Sequence, residues 1–372
     1  MAVIEKLLLG NIVSNFSILE PANPTIFQVA WESTLKCNLD CSYCGDGHDN
    51  SQSHPSLEDS KKTIDFIVEY LNLYMSIKPV DQKKANINIQ GGESIFHPNI
   101  IEILEYVKSK KELYKDWQLS VSLITNAVIG KKQWSRIVEL VDNFTVSYHP
   151  EMLDKQQVMF KANVLHLKNI KNSFHVAVLM HPKHWDRCIS MIDWCKDNRV
   201  TVLPRQIDHS WLDFRFNYSS DQAEYLTGKT KPTVVEKVIT IFKNGVDLSS
   251  QGRACCGGHC MIQDRETETN YVKGNKFTGW HCSVNEFFLY IRQTTGEIFT
   301  NKDCKMTLEG SVGPIGNLAN TDDLLFRLAR SIESNTMPTV ICKKSSCWCG
   351  LCSPKAKNKI DYDLIMKKYH NV

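Results

Sequence analysis

The sequence predicts an α/β fold: six strand–helix units forming a partial barrel, followed by a cysteine-rich C-terminal region. Three observations predict it. From Ile26 to about residue 207, short apolar, β-rich runs alternate with longer helical patterns. Strands separated by helical lengths pair in parallel, through right-handed crossovers. After Gln251 the helical periodicity falls while cysteine and glycine rise.

Residues 1–25 read as an N-terminal leader of mixed character that ends at Pro21 and Pro24. The first strand, Phe27–Glu32, feeds the loop C-N-L-D-C-S-Y-C from Cys37 to Cys44. A polar stretch, Asp46–Pro55, follows. Ser56 with Asp59 three residues on predicts a helix cap, and the helix runs to about Met75 with Ile64, Ile67, Val68 and Leu71 on one face. The second strand, Ala85–Gln90, ends in Gly91-Gly92-Glu93-Ser94, and Pro98 opens the next helix. The third, Ser120–Thr125, runs into Asn126-Ala127. The fourth, Phe144–Tyr148, ends Ser147-Tyr148-His149-Pro150. Phe174–Met180 and Thr201–Ile207, which contains Arg205, are the fifth and sixth, with helices near 131–142, 152–171 and 184–197. In parallel barrels the C-terminal strand ends line the site, so Thr125, Asn126, Ser147, His149 and Arg205 are expected to point to one pocket. The bland reading of each is a satisfied polar residue at a strand end. The barrel is assigned to 26–215 and a helical connector to 216–250, with Trp211, Phe214, Phe216 and Tyr218 in a loop and a helix over about 232–244. The cysteine-rich domain is 251–354, and 355–372 a basic C-terminal helix.

The chain has 372 residues, enough for two domains, and 42% hydrophobic residues, enough for a sizeable core. A net charge of +3 neither demands nor excludes a polyanionic partner. No apolar run approaches the ~18 residues of a membrane span, and the N-terminus carries no signal-peptide cleavage pattern. With 14 cysteines and no secretory signal, the expectation is a reducing, cytoplasmic compartment and metal ligation over disulfides.

Cys37, Cys41 and Cys44 are three soft thiolate ligands on one short loop. Three thiolates leave one iron of a four-iron cubane open, which suits a cluster that binds and reduces a small molecule. The plain alternatives are a zinc knuckle lacking a ligand, or reduced core cysteines. The C-x3-C-x2-C loop, with Tyr43 before its last cysteine, resembles the signature of the radical S-adenosylmethionine (SAM) superfamily. The resemblance implies a partial (β/α)6 TIM-like barrel. It also implies a 4Fe–4S cluster whose unique iron is chelated by SAM, and reductive cleavage of SAM to a 5′-deoxyadenosyl radical that abstracts hydrogen from a substrate. It places Gly91-Gly92-Glu93 at the motif that holds the SAM amino group, with Glu93 supplying the carboxylate. Two glycines after a strand let backbone approach a ligand closely. Ser94 stands where many relatives have proline. Tyr43 is expected near the adenine or as filler of the loop. Thr125, Asn126, Ser147 and His149 are candidates for hydrogen bonds to SAM, and Arg205 for a carboxylate. Cys188 and Cys195, seven apart in a helical pattern, are read as ordinary thiols.

The C-terminal cysteines are Cys255, Cys256, Cys260, Cys282, Cys304, Cys342, Cys347, Cys349 and Cys352. A loop-rich segment with little periodic core needs cross-links, and metal supplies them. The strand pattern Phe287–Gln293, Gly296, a further strand and Gly316-Asn317 resemble the SPASM or twitch appendage that carries auxiliary iron–sulfur clusters in many radical SAM enzymes. Asn301 stands where that pattern has a cysteine, with Cys304 three residues later. The expectation is an auxiliary-cluster domain with one or two clusters. Cys282, Cys304 and Cys352, with one of Cys255, Cys256 or Cys260, would hold the first, and Cys342, Cys347 and Cys349 a second, with the 255–260 group as the candidate source of its fourth ligand. The alternative is zinc. Asp303 is a possible base on a radical intermediate, or an exposed carboxylate.

The first functional expectation is therefore a radical SAM enzyme, of oxidoreductase or isomerase type, that oxidises, crosslinks or rearranges a residue of a peptide or protein. It would take electrons from a reductant such as flavodoxin or ferredoxin. A second keeps the radical machinery but acts on a nucleotide or a hypermodified base in nucleic acid, for example phage DNA; the basic tail and the aromatics at 211–218 allow it. A third is a zinc-rich binding module without catalysis.

Overall fold

The structure is a computed structural model. It describes residues 18–19, 26–44, 49–171, 173–209, 214–227, 277–302, 304–307, 311–334, 336–343, 353–367 and 369–370.

Six parallel strands carry the fold: β2 (Ile26–Thr34), β3 (Lys84–Gly91), β4 (Gln118–Thr125), β5 (Asn143–Tyr148), β6 (Phe174–Met180) and β7 (Val202–Gln206), paired in that order. Short β1 is Ile18–Leu19. Between the barrel strands run α1 (Leu57–Ser76), α2 (Ile100–Leu113), α3 (Lys131–Leu140), α4 (Asp154–Ile170) and α5 (Trp185–Asp197). All six expected strands are present within one or two residues at each end. α1 starts as expected: Ser56 Oγ accepts from Asp59 N at 3.0 Å. Its stripe Ile64, Ile67, Val68, Leu71 is buried against the sheet. Each such side chain contributes about 1.5–3 kcal/mol of burial.

Alternation divides the barrel strands cleanly. Phe27, Val29 and Trp31 on β2 and Ile87 and Ile89 on β3 face the helices and join one core with α1–α5. Gln28 and Glu32, Asn86, Asn88 and Gln90, and Ser120 and Ser122 share the other, inner face. A barrel strand that is apolar outside and polar inside has its chemistry within the barrel.

The C-terminal region extends this sheet. β10 (His281–Cys282) leads to β11 (Phe288–Arg292), which pairs in parallel with β2 from Phe288↔Gln28 to Arg292↔Glu32. β12 (Glu297–Phe299) and β13 (Gly316–Asn317) continue antiparallel, giving a sheet of nine strands among the described residues. Gly296, with φ +73°, makes the β11–β12 turn that its residue type predicts. β11 thereby covers the β2 edge, which would otherwise expose unpaired backbone. Tyr290 Oη donates to Glu32 Oε2 at 2.7 Å, and Arg292 Nε to Oε1 at 3.2 Å, tying the two regions through a buried carboxylate. α7 (Thr321–Glu333) packs on α1. A second small sheet orders β1, β15 (Lys355–Ala356), β10 and β14 (Val340–Ile341).

The tail differs from expectation. Lys355 lies in strand β15, 1% exposed, with Nζ 4.8 Å above the Phe277 ring, and the helix α8 is only Lys359–Met366. Pairing with β1 and β10 captures the backbone of 355–356, and the lysine stem is covered by apolar neighbours. Between β7 and the C-terminal region lie β8 (Asp208–His209), β9 (Phe214–Arg215) and α6 (Ser220–Thr227). The expected helix over 232–244 and Trp211 lie outside the described residues. No described helix is long and apolar enough to cross a membrane.

Candidate active site

The cysteine loop leaves the C-terminal end of β2. Cys37 and Cys41 are half-buried and Cys44 is exposed. The loop is held by its own side chains and by neighbouring strand ends. Leu39 and Tyr43 are buried, Cys37 N donates to Asn50 Oδ1 at 3.0 Å, and Cys44 N to the Cys41 carbonyl at 3.1 Å. Burial pushes both the Cys37 and the Cys41 thiol up to about 12. The charge of Cys44 adds to both shifts, and that of Cys37 to Cys41's. Cys37 and Cys41, held as thiols by burial, ionise on binding a cation; with Cys44 on the same short loop they are three soft sulfur ligands, a donor set that fits a soft metal or an iron–sulfur cluster.

Gly91-Gly92-Glu93 lies directly beside this loop. Gly91 has φ +147°, and a Cβ there would meet the Thr34 carbonyl at 2.2 Å; one at Gly92 would meet the Lys36 carbonyl at 2.4 Å. Gly92 N and Glu93 N donate to the Thr34 and Lys36 carbonyls, both at 2.8 Å. The glycines thus admit the root of the chain's own cysteine loop. Glu93 is 2% exposed; its carboxylate accepts from Ile95 N at 3.2 Å, from Asn126 N at 2.5 Å and from Thr125. Burial pushes this carboxyl up to about 7 against those bonds. Thr125 and Asn126 form a tight turn: Thr125 Oγ1 accepts from Ala127 N, and Asn126 Oδ1 from Val128 N, both at 2.9 Å, with Ala127 at φ +53°. Asn126 Nδ2 also donates to Asn38 Oδ1 inside the cysteine loop at 2.7 Å.

The β5 end grips the loop from the other side. His149 Nδ1 lies 3.3 Å from Cys41 Sγ and 3.1 Å from Tyr43 Oη, with its ring stacked on Tyr43. Burial lowers His149 to about 4, so it is a neutral imidazole at neutral pH. Tyr43 packs among His149, His181 and Phe216, and burial keeps its phenol protonated. Ser147 is half-buried on the inner face of β5, opposite Ala177, and Arg205 of β7 pairs with Leu179 of β6. The strand ends thus bring Glu93, Thr125, Asn126 and His149 against the cysteine loop, while Ser147 lies two residues before His149 on β5 and Arg205 lies two strands further on, in β7.

Sequence reasoning missed Glu151. Its carboxylate accepts from Ser42 N at 2.7 Å and from Ser42 Oγ at 2.6 Å, fixing the loop between Cys41 and Tyr43. The available signal was its position two residues beyond His149, in the same strand-end loop. Among the described residues, Glu151, His181 and His184 offer ligand atoms within 4.8 Å of one another. His181 Nδ1, however, accepts from Lys183 N, which leaves the neutral ring's proton on Nε2, the atom 3.6 Å from Glu151. That nitrogen is then a donor facing a carboxylate and not a metal ligand.

In the C-terminal region Cys282 and Cys304 belong to one buried cluster with Phe288 and Tyr290, and Cys342 to another with Phe277 and Trp280. Cys282 Sγ lies 3.4 Å from Ser353 Oγ. Cys255, Cys256, Cys260, Cys347, Cys349, Cys352 and Asp303 lie outside the described residues. Cys188 and Cys195 are buried thiols of α5.

Residues 31–203 match the family described as the radical SAM superfamily. This barrel segment, with its three-cysteine loop at the strand ends, belongs to that superfamily, whose cofactors are a 4Fe–4S cluster and SAM. The chain is 29% identical over 129 residues to the antilisterial bacteriocin subtilosin biosynthesis protein AlbA of Bacillus subtilis (strain 168). That match spans 34% of this chain and only 25% of the relative. Among solved structures, anSMEcpe with bound AdoMet and Kp18Cys peptide is similar with a TM-score of 0.51 at 13% identity, over 92% of this chain and 96% of that one. Streptococcus suis SuiB bound to S-adenosylmethionine is matched at 0.43 and 13% identity, over 80% of this chain and 63% of that one. The anSMEcpe likeness extends beyond the barrel into the C-terminal region.

Proposed function

We propose that this protein is a radical SAM enzyme that modifies a residue of a peptide or protein. The observation that carries the reading is the three-cysteine loop, held at the mouth of a polar-lined parallel barrel by the ends of β3, β4 and β5. The bacteriocin-biosynthesis relative supports a peptide as substrate.

Cys37, Cys41 and Cys44 would hold the cluster, and SAM would take the open position. When bound, this pair supplies one-electron reducing power and hydrogen-atom abstraction. The chain's own residues do the rest. Glu93 has three of about four carboxylate lone-pair positions occupied, leaving one for the ammonium of SAM. A cation there favours the ionised carboxylate that burial alone opposes. Gly91 and Gly92 keep Glu93 close to the loop. Thr125, Asn126, Ser147, His149 and Arg205 complete the cofactor-binding set, and buried Tyr43 and Glu151 hold the loop in shape. Cys282, Cys304 and Cys342, with the other C-terminal cysteines, would carry one or two auxiliary clusters in a SPASM- or twitch-like domain over 251–354, with the barrel over 26–215. A reductant protein such as flavodoxin or ferredoxin would supply the electron.

The test is formation of 5′-deoxyadenosine from SAM by anaerobically prepared, dithionite-reduced protein. The reading expects it in the wild type and its loss in the Cys37/Cys41/Cys44→Ala variant. Its absence in the wild type, with the metal bound, would overturn the reading.

A further inference from the structure

The inner face of β3 is satisfied at one level and unsatisfied at the next. Asn86 is fully buried and its amide is used: Nδ2 donates to Gln28 Oε1 at 3.1 Å, and Oδ1 accepts from Ser120 Oγ at 3.0 Å and Ser122 Oγ at 2.8 Å. Asn88, two residues nearer the cysteine loop on the same face, is 2% exposed, and among the described residues neither its Oδ1 nor its Nδ2 has a hydrogen-bond partner. Gln90 Nε2, two residues further, is also buried without a partner among the described residues. Register explains why. Asn88 sits between Ala30 on β2, which offers no polar atom, and Ser122 on β4, whose hydroxyl is turned to Asn86. At the next level Glu32, beside Gln90, is already engaged by Tyr290 and Arg292. A buried primary amide with both ends idle carries a desolvation cost that a native fold keeps only for a reason.

We infer that Asn88, assisted by Gln90, binds a main-chain amide of the substrate inside the barrel. This rests on the peptide reading above and deepens it. An asparagine amide offers a donor and an acceptor in one plane, which matches the N–H and C=O that one extended peptide residue presents on the same side. The pair of functions also suits an uncharged ligand better than an ion. The site lies directly below Gly91-Gly92-Glu93, so a peptide held there presents its residue to the reacting end of the barrel.

The test has two arms. The first needs no substrate: unfolding midpoints of Asn88→Leu and Asn86→Leu in the metal-loaded protein. An idle amide predicts that Asn88→Leu unfolds at or above the wild-type temperature, while Asn86→Leu falls by about 2 °C or more. An equal fall in both would mean that Asn88 is satisfied within the fold, by an internal water for instance, and would overturn the inference. Asn88→Ala answers the same question should leucine not fit. The second arm uses a pool of pentapeptides blocked at both ends, and a matching pool methylated on every backbone nitrogen. The readout is the ratio of 5′-deoxyadenosine formed with peptides to that formed without. The inference expects stimulation by the plain pool only, and a ratio lower by about tenfold in Asn88→Leu. Equal stimulation of wild type and variant, or by both pools, overturns this inference and leaves the proposed function standing. Absence of 5′-deoxyadenosine in any sample strikes the proposed function itself.

Discussion

The barrel mouth and the C-terminal region use cysteine in opposite surroundings. At the mouth, Cys37 and Cys41 are half-buried, Cys44 is exposed, and polar groups from three strand ends hold the loop around them. In the C-terminal region Cys282, Cys304 and Cys342 are 5–7% exposed and pack among aromatic side chains. The first arrangement leaves the sulfurs reachable for a ligand that must come and go. The second makes the cysteines part of the core. Loss of the mouth cysteines should therefore abolish chemistry with little effect on the fold, whereas loss of the others should cost stability first.

The largest effect is expected where the two regions join. Glu32 is buried and bonded to both Tyr290 and Arg292 of β11. Glu32→Ala removes two hydrogen bonds to a buried carboxylate, while Arg292 stays partly exposed and keeps Glu297 at 3.6 Å, and should destabilise by about 3 kcal/mol, read from denaturant unfolding. A loss near zero would mean that the C-terminal region is not fastened through this strand pair.

A second joint makes a pH-dependent prediction. Lys78, after α1, is 5% exposed and lies 3.9 Å from Glu286 Oε2, with its ammonium over the Phe287 ring. Glu286 is also bonded by Tyr362 and His370. Burial lowers Lys78 to about 8 despite the attraction of Glu286. The unfolded chain then binds more protons than the native one between about 8 and 10.5, so this group's contribution to stability rises with pH across that window. The rise is about 3 kcal/mol at full extent. Lys78→Met should remove it. An unchanged pH profile in that variant would contradict the burial argument.

The direct comparison of the two cysteine sets is smaller. Cys282→Ala removes a buried sulfur and should cost about 1–2 kcal/mol from packing alone, more if it holds metal. The Cys37/Cys41/Cys44→Ala variant should unfold within about 0.5 kcal/mol of the wild type once both are stripped of metal. Equal losses would erase the distinction. Smallest is Glu151→Gln. It keeps shape but weakens two charge-assisted bonds to Ser42, and should speed iron loss to a chelator several-fold, roughly the effect of one weakened hydrogen bond.

The barrel was largely legible in the sequence because its signals are local. Ser56 and Asp59 cap α1 as their spacing predicts, and Phe174–Met180 is a strand over just the expected residues. Cys188 and Cys195 sit in a helix as their spacing suggested, and it is the packing of that helix, which the spacing left open between core and surface, that buries them. What escaped was non-local. The β11–β2 pairing joins residues about 260 apart, and no composition shift near Gln251 foretells that the sheet continues across it. Lys355 reads as a solvated cation until strand pairing and Phe277 bury it. Gly91 and Gly92 suggest close approach to a ligand, whereas the backbone that approaches them is that of Thr34, Leu35 and Lys36 at the root of the cysteine loop. Glu151 went unseen because its partner, Ser42, lies more than a hundred residues earlier and carries no motif.

Whether the barrel-mouth loop holds an iron–sulfur cluster is decided by iron, sulfide and zinc analysis of anaerobically purified wild type and Cys37/Cys41/Cys44→Ala protein. The variant is expected to lose about four irons with matching sulfide and to keep about four or eight, held by the C-terminal cysteines. Zinc without iron or sulfide in both proteins would contradict it.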